Sequence, residues 1–416
     1  MTAPPSSPQH GGGRGRLLVL TAGLGNGLVA AVSDVDPTTV GTMSVIGSTT
    51  GYSLAWLTVL LIPLVAGVLT IASRISVVTG HDLQGLVVLR YGRPARLLLL
   101  VSIVAVNLFT LAADVAAGGA ALELLTGVGW RIWTLPLAAA VLVLLLAGAF
   151  HKVQRLLQYV MLVLIAFGVA AVLARPDWHA VARGTFVPAL PLDKLHITSA
   201  LALLGTTLTS YVYVWQSISH AEERPPVSRL RFQAIQSAAA VVVAVAIFWF
   251  IQVATAATLG REGTKVETSE QAARALEPVA GPGAAYLFAI GMLASTLLAL
   301  PILAASTGYI VGAEFGWRRG LSQPARHAPR FYLVLALTLA LSVAAVLSGL
   351  DPIRLLFLAS LAGGIGTPIS LAFLIKLARD PRVMGAHRIP GWLAGVGWGL
   401  TAAIAAISVV FLATGA

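Results

Sequence analysis

Eleven apolar stretches constrain the fold of this chain more than any other feature of its sequence. A helix needs about 20 apolar residues to cross the hydrocarbon core of a bilayer, and hydrophobic residues make up 57% of the 416 positions. Clusters of Arg, Pro or Gly bound the stretches, which are numbered here as spans 1 to 11. They lie near residues 17–46, 52–73, 97–126, 132–150, 154–174, 198–219, 233–259, 284–313, 331–348, 353–377 and 392–414. The sequence therefore predicts an all-α polytopic membrane protein.

The net charge of +11 follows the pattern of a membrane topology. Lys and Arg cluster at the ends of the apolar spans and form no separate basic domain, so we expect no nucleic-acid partner. If the N-terminus is cytoplasmic, most of the 27 Lys and Arg residues lie in cytoplasmic segments. The positive-inside rule then predicts a multi-pass protein of the cytoplasmic membrane whose C-terminus is extracytoplasmic.

Several functional classes are excluded by what the sequence lacks. It has no Cys, which rules out disulfides and thiolate metal sites. It contains no nucleophile elbow, phosphate-binding loop or His-based metal motif, so we predict neither an enzyme nor a bound cofactor. The lipid bilayer is the expected environment, and no obligate protein partner is indicated.

The order of spans and loops suggests two related halves. The two longest connections, near 175–197 and 260–283, both fall on the outer face. Five spans per repeat would invert the second copy relative to the first. We therefore predict five segments along the chain. These are a disordered cytoplasmic tail at 1–16, a first inverted repeat at 17–174, an extracytoplasmic loop at 175–197, a second repeat at 198–377, and a loop with an eleventh helix at 378–416.

Span 1 contains an unusual polar segment, Ser-Asp-Val-Asp-Pro-Thr-Thr, at residues 33–39. An ionisable side chain at membrane depth is costly unless it faces protein, water or an ion. Pro37 has no N–H, so the Ser33 carbonyl would lose its helical hydrogen bond. The Asp36 carboxylate, the Thr38 and Thr39 hydroxyls and this free carbonyl form a ligand set suited to a hard cation.

A second interpretation of this segment is a helix start, with Asp36 as N-cap and Pro37 at the first helical position. Both interpretations can hold, because broken transporter helices place their ends at the substrate. Asp34 would point about 200° away from Asp36 in a regular helix. It would therefore share an ion with Asp36 only if the chain is unwound there.

Span 6 carries the second polar cluster, Gly-Thr-Thr-Leu-Thr-Ser-Tyr at residues 205–211, followed by Gln216. Each Thr or Ser could simply bond to its own helix. Their density favours a second unwound stretch that faces span 1, although no proline enforces a break. Asp114, in the middle of span 3, is either a relay carboxylate or half of a buried pair.

These residues resemble the NRAMP family of divalent-metal transporters. The family pattern Asp-Pro-Gly-Asn falls on residues 36–39, and Val-Thr-Gly-His-Asp-Leu at 78–83 is similar to the family's Val-Thr-Gly-Lys-Asp-Leu. The phrases Leu-Gly-Thr-Thr at 204–207 and Leu-Pro-Ile-Leu-Ala at 300–304 resemble a divergent branch that includes magnesium transporters. The resemblance implies a LeuT-like fold, with a 5+5 inverted repeat plus an eleventh transmembrane helix.

The resemblance also implies a set of site residues and shows where this chain departs from the family. The implied ion ligands are Asp36, the Thr39 side chain, the Ser33 carbonyl, Thr206 and Thr209. The residues implied to line the path or support the ligands are Asp34, Thr38, Tyr211, Gln216 and Asp114. The family has Asn where this chain has Thr39, and Met-Pro-His where it has Thr-Ser-Tyr at 209–211. The acidic residue that usually follows the span 3 Asp by three positions is Ala117, so the classical proton route is missing.

These substitutions remove the soft ligand. A thioether favours softer transition metals, whereas carboxylate, hydroxyl, carbonyl and water oxygens suit Mg²⁺ and Mn²⁺. We therefore predict a secondary transporter that imports a partly hydrated divalent cation, Mg²⁺ first and Mn²⁺ second, by alternating access and without a dedicated proton relay. The alternative is a carrier of a small organic solute on the same fold. That alternative lacks a visible counter-charge for two Asp residues.

Overall fold

The predicted spans correspond to helices in the computed structural model, which describes residues 35–148, 154, 156–157, 159–347 and 349–414. Helices of eight or more residues are numbered α1 to α14 here. They are α1 Pro37–Thr50, α2 Ala55–Thr79, α3 Leu83–Arg90, α4 Arg93–Thr126, α5 Trp130–Leu146, α6 Ala166–Leu173, α7 Trp178–Phe186, α8 Lys194–Thr207, α9 Ser210–Glu223, α10 Leu230–Thr255, α11 Ala284–Glu314, α12 Pro329–Val346, α13 Pro352–Arg379 and α14 Gly391–Thr414. Within the described ranges, eight helical spans are long and apolar enough to cross a membrane, or nine if one bent pair counts as a span.

Most predicted bounds agree with these helices to within a few residues. The predicted tail at 1–16 and the first part of span 1 lie outside the described residues, as does part of span 5. Span 6 is divided between α8 and α9. Two helices were not predicted: α3, and α7, which follows a bend of 119° after span 5. Both are too short to produce the long apolar signal that identifies a span.

The long helices pack into two groups, and α13 contacts both. One group contains α1, α2, α8, α9 and α10, which are spans 1, 2, 6 and 7. The other contains α4, α5, α11 and α12, which are spans 3, 4, 8 and 9. Membership recurs at an interval of five spans, as two copies of one five-span unit would produce.

Two close backbone contacts fix the positions of α1 and α8. A Cβ atom added at Gly205 in α8 would overlap the backbone of Ser360 and Gly364 in α13. A Cβ atom added at Gly47 in α1 would overlap the backbone of Gln252 in α10. Small residues allow membrane helices to approach this closely. The contact at Gly205 determines where the neighbouring polar residues of α8 lie.

Four charged residues form the ion-pair cluster at one end of the bundle: Asp82, Arg96, Glu314 and Arg319. Arg96 Nη2 lies 2.7 Å from Glu314 Oε1, and Arg319 Nη2 lies 2.7 Å from Asp82 Oδ2. Asp82 also caps α3 by accepting the Gly85 N–H at 2.8 Å. The cluster thus ties the connection between spans 2 and 3 to the end of span 8.

Candidate cation site at two helix breaks

Asp36 lies directly before α1 and caps it. Its backbone is extended, with φ −82° and ψ 163°, and Pro37 occupies the first helical position. Its Oδ1 atom accepts the Thr39 N–H at 2.7 Å and the Thr39 hydroxyl at 2.6 Å. The carboxylate is buried, with 3% of the residue exposed. The helix-start interpretation is therefore correct for Asp36, while Ser33 and Asp34 lie outside the described residues.

The second break divides span 6 at Leu208 and Thr209. Thr209 has φ −52° and ψ 134°, which is not helical. Its hydroxyl donates to the carbonyls of Gly205, at 2.6 Å, and Thr206, at 2.8 Å. The Leu208 carbonyl accepts the Thr367 hydroxyl of α13 at 3.1 Å. Hydroxyl groups thus satisfy the carbonyls that the break exposes, and no proline is needed.

Two hydrogen bonds between side chains join the two breaks. The Tyr211 hydroxyl, in the first turn of α9, donates to Asp36 Oδ2 at 2.9 Å. Thr206 Oγ1 lies 3.0 Å from Thr39 Oγ1. Because the Thr39 proton is directed at Asp36, Thr206 is the donor in that pair. Three donors therefore converge on one carboxyl group, whose two oxygens still have lone pairs to offer.

A second carboxylate lies beside the first. The Thr38 hydroxyl donates to Asp114 Oδ1 at 2.7 Å, and Asp114 is fully buried in α4. Asp114 Oδ2 is buried without a hydrogen-bond partner among the residues that the structure describes. Within the same residues, no Lys, Arg or His forms an ion pair with Asp36 or Asp114. The two buried carboxylates thus accept hydrogen bonds from hydroxyl groups, without a basic partner among these residues.

A small cavity adjoins this cluster. Its volume is about 30 Å³, and its polar wall is formed by Thr39, Thr206 and Tyr211 together with Thr207. Val65, Leu69 and five other apolar residues form the rest of the wall: Val212, Val241, Ala244, Val245 and Phe248. A water molecule needs roughly 10–15 Å³ of such space, so the cavity has room for one or two. Every polar side-chain atom at the site is an oxygen.

Two other predicted site residues, Thr209 and Gln216, make their hydrogen bonds to groups other than Asp36. The Thr209 hydroxyl donates to carbonyls of the preceding helix, α8, and the Thr207 hydroxyl, within α8, donates to the Leu203 carbonyl at 2.8 Å. Gln216 Nε2 donates to Ser73 Oγ of α2 at 3.1 Å. The structure thus places Thr39 and Tyr211 against Asp36, and it bonds Thr206 to Thr39. It also joins Thr38 to Asp114. Thr209 stabilises the break in span 6.

Ser295 is a site residue that the sequence analysis missed. Its hydroxyl, in α11, donates to the Val35 carbonyl at 2.5 Å and so holds the chain where it enters α1. The neighbouring Thr296 bonds only to its own helix, at the Met292 carbonyl. The sequence gives both residues the same small polar signal in an apolar span. Which of the two faces span 1 depends on the packing of α11.

Comparison with known proteins gives consistent results. The family model described as "Natural resistance-associated macrophage protein-like" matches residues 27–414. The divalent metal cation transporter MntH of Xylella fastidiosa (strain 9a5c) is 32% identical over 416 residues, covering 94% of this chain and 85% of the relative. MntH of Mycobacterium tuberculosis (strain H37Rv) is 27% identical over 403 residues, covering 94% of this chain and 90% of the relative.

A solved structure shares the fold. A mutant of the manganese transporter of Eremococcus coleocola superposes with a TM-score of 0.77 at 18% identity, covering 97% of this chain and 89% of that one. Identity at this level shows the fold alone. The predicted LeuT-like membrane fold is confirmed.

Proposed function

Since this chain belongs to the natural resistance-associated macrophage protein-like (Nramp) family, we propose that it imports a hard divalent cation, Mg²⁺ or Mn²⁺, by alternating access. The family consists of metal-ion transporters and not of enzymes. The cation is the substrate of the protein and not a resident cofactor. The N-terminus is proposed to be cytoplasmic and the C-terminus extracytoplasmic, on the distribution of Lys and Arg.

The observation that carries this proposal is the pair of buried carboxylates without a basic partner. Two like charges in a low-dielectric interior repel each other strongly, and burial of each is costly unless it is paired. Asp36 and Asp114 have no Lys, Arg or His partner in the described part of the chain. A divalent cation at the site would supply the missing positive charge. A carrier of an organic solute would leave the pair unexplained.

The ligand atoms favour a hard ion. Asp36 supplies the charge, and the hydroxyl oxygens of Thr39 and Thr206 are its neutral companions. Oxygen ligands of this kind suit Mg²⁺ and Mn²⁺ and give no preference for softer metals. Relatives named as divalent metal cation transporters, and a structural neighbour named as a manganese transporter, support Mn²⁺. The described residues that form the site contribute no thioether, which supports Mg²⁺ as well.

The small cavity beside Asp36 limits how many waters the ion retains in this arrangement of the helices. Space for one or two waters is less than the hydration shell of Mg²⁺, which the ion gives up reluctantly. The hydroxyls of Thr39 and Thr206 would replace part of that shell. Tyr211 holds the remaining face of Asp36, so we infer that its hydroxyl moves aside when the ion enters.

Alternating access requires one end of the bundle to open while the other is closed. In this arrangement the ion-pair cluster joins the connection between spans 2 and 3 to the end of span 8. We infer that release of the ion to the cytoplasm separates Arg319 from Asp82. Ala117 takes the place of the family's second acidic residue in span 3, so the proposed transport proceeds without a dedicated proton relay.

The test is uptake of Mg²⁺ and Mn²⁺ into proteoliposomes, with the internal pH recorded. Asp36→Asn keeps an N-cap side chain but removes the charge. We expect it to lower uptake by at least about 100-fold, beyond the 10–100-fold losses typical of supporting residues. Asp177→Asn is the matched control, because Asp177 caps α7 at an exposed position. Unchanged flux in Asp36→Asn would overturn the site, and acidification in step with flux would overturn the uncoupled mechanism.

A further inference from the structure

A large cleft lies far from the cation site, where α3, α13 and α14 meet. Its volume is about 810 Å³. Four basic side chains line it, and they define what is called the basic pocket: Arg90, Lys376, Arg379 and Arg382. Its remaining wall includes the aromatic rings of Tyr91 and Trp398 and the first turns of α14. Part of the pocket is thus built from a membrane-spanning helix.

The pocket is strongly positive. Its one carboxylate, Asp380, lies 3.2 Å from Arg90 Nη2. The backbone N–H of Arg382 lowers the pKa of Asp380, with a further contribution from Arg90, so Asp380 remains ionised. Lys376 Nζ lies 5.6 Å from the centre of the Tyr91 ring. After Asp380 is counted, three positive charges remain, and an anion is the ligand that they suit.

Helix electrostatics explain only part of this cluster. Lys376 and Arg379 lie in the last turn of α13, where cations stabilise the helix dipole. Arg90 belongs to α3, and Arg382 follows α13 in the chain. Arg90 likewise lies in the last turn of its helix, but the helix dipoles do not account for an open cleft between three helices.

One face of α14, called the glycine face here, begins at the basic pocket and continues along the helix. Gly391, Gly395 and Gly399 are spaced four residues apart, so they lie on one face of the helix. A Cβ atom added at any of the three would meet no atom within 4 Å. Trp398 beside them is 44% exposed. This face of a membrane-spanning helix is thus open and apolar where it meets the basic pocket.

We propose that the basic pocket binds an anionic phospholipid. Its phosphodiester lies among Lys376, Arg379 and Arg382, and one acyl chain lies along the glycine face of α14. Basic pockets at the ends of membrane helices bind anionic head groups, and each Lys or Arg near the surface contributes about 1 kcal/mol. The same phosphate chemistry occurs in a free anion, but a free anion would not use the glycine face. This proposal does not depend on the transport function.

The test is native mass spectrometry of the full-length protein in detergent, titrated with phosphatidylglycerol or phosphatidylcholine. We expect phosphatidylglycerol to be retained selectively. Lys376→Gln/Arg382→Gln should weaken its binding about 10- to 30-fold, because two contributing cations are lost. Arg229→Gln/Arg231→Gln is the matched control, since both arginines are exposed and lie outside the basic pocket. Its binding should equal that of the wild type.

Two further measurements separate the lipid from its alternatives. Gly395→Leu places a bulky side chain on the glycine face and should weaken phosphatidylglycerol binding, while thermal melting shows that the protein remains folded. Inorganic phosphate should not displace the lipid at millimolar concentration. Equal binding of phosphatidylcholine, equal binding by the pocket variant and its control, or displacement by phosphate would overturn the proposal. So would a dimer that Gly395→Leu converts to a monomer, since a second copy would then cover the glycine face.

Discussion

Buried carboxylates lie beside arginines in the ion-pair cluster, whereas those of the cation site have no basic partner among the described residues. In the cluster, Glu314 and Asp82 are nearly buried, and each lies 2.7 Å from an arginine nitrogen. At the cation site, Asp36 and Asp114 are even more buried, and their hydrogen bonds to described residues come from hydroxyl and amide donors. Both regions belong to the same bundle and share the helix α4.

This difference separates structure from function. A carboxylate with a fixed arginine stabilises one arrangement of the helices, because the charge is neutralised within the protein. A carboxylate pair without such a partner raises the free energy of the empty site, and a bound cation lowers that free energy. Charge removal should therefore weaken the fold at the cluster and weaken transport at the site.

The largest stability effect is expected at the cluster. Arg319→Ala leaves Asp82 buried beside a vacancy, and breaking a buried pair in this way costs about 3 kcal/mol or more. The thermal melting temperature of the purified protein should fall by several degrees. Arg326→Ala, an exposed position in the same connection, is the control and should leave it unchanged. Equal melting temperatures for the two variants would contradict the stabilising role assigned to the ion-pair cluster.

Asp114→Asn should have the opposite signature. The amide oxygen still accepts the Thr38 hydroxyl, while one of the two repelling charges is removed. Uptake of Mn²⁺ should fall about 10-fold, the lower end of losses for supporting residues, and the melting temperature should not fall. A large loss of stability with normal uptake would place Asp114 among the structural carboxylates.

Tyr211→Phe tests the donor that bridges the two breaks. The variant keeps the ring and removes the hydrogen bond to Asp36 Oδ2, a charge-assisted bond worth about 1.5 kcal/mol. Because the Tyr211 hydroxyl must leave Asp36 when the ion enters, we expect the apparent affinity for Mn²⁺ to rise about 5- to 10-fold in uptake assays. Tyr213→Phe is the matched control, because Tyr213 lies on the same helix as Tyr211 but its hydroxyl bonds to Ser370 of α13 and not to Asp36. Equal affinities in the two variants would show that Tyr211 has no part in the site.

The smallest effect should distinguish two neighbouring threonines. Thr206→Val removes the hydroxyl that reaches Thr39, so it should reduce affinity about 3-fold and leave the melting temperature nearly unchanged. Thr209→Val leaves two buried carbonyls without a donor, so it should mainly lower stability, by about 1 kcal/mol or more. The reverse result would make Thr209 the ligand and Thr206 the structural residue.

The sequence predicted the parts of the site that leave a local signal. Pro37 has no N–H to bond a preceding carbonyl, so a helix can begin at Pro37 but is disfavoured before it. The break at Asp36 is therefore predicted from one residue. Long apolar runs likewise predicted the helical spans, because length and hydropathy suffice for that purpose. The helices α3 and α7 were missed since a short helix carries no such signal.

The rest depended on tertiary packing. Thr206, Thr207 and Thr209 are chemically alike, and only the positions of α1 and α13 decide that Thr206 alone reaches Thr39. For that reason the sequence predicted Thr206 and Thr209 equally as ligands and could not distinguish their roles. Ser295 was missed on the same ground, since a hydroxyl in an apolar span usually bonds to its own helix.

Anomalous diffraction from crystals soaked in Mn²⁺ would test the central claim most directly. We expect one strong anomalous peak beside Asp36, bounded by the oxygens of Thr39 and Thr206, and no such peak in Asp36→Asn. A peak that persists in the Asp36→Asn variant, or one that lies at the paired carboxylates of the ion-pair cluster instead, would contradict the account.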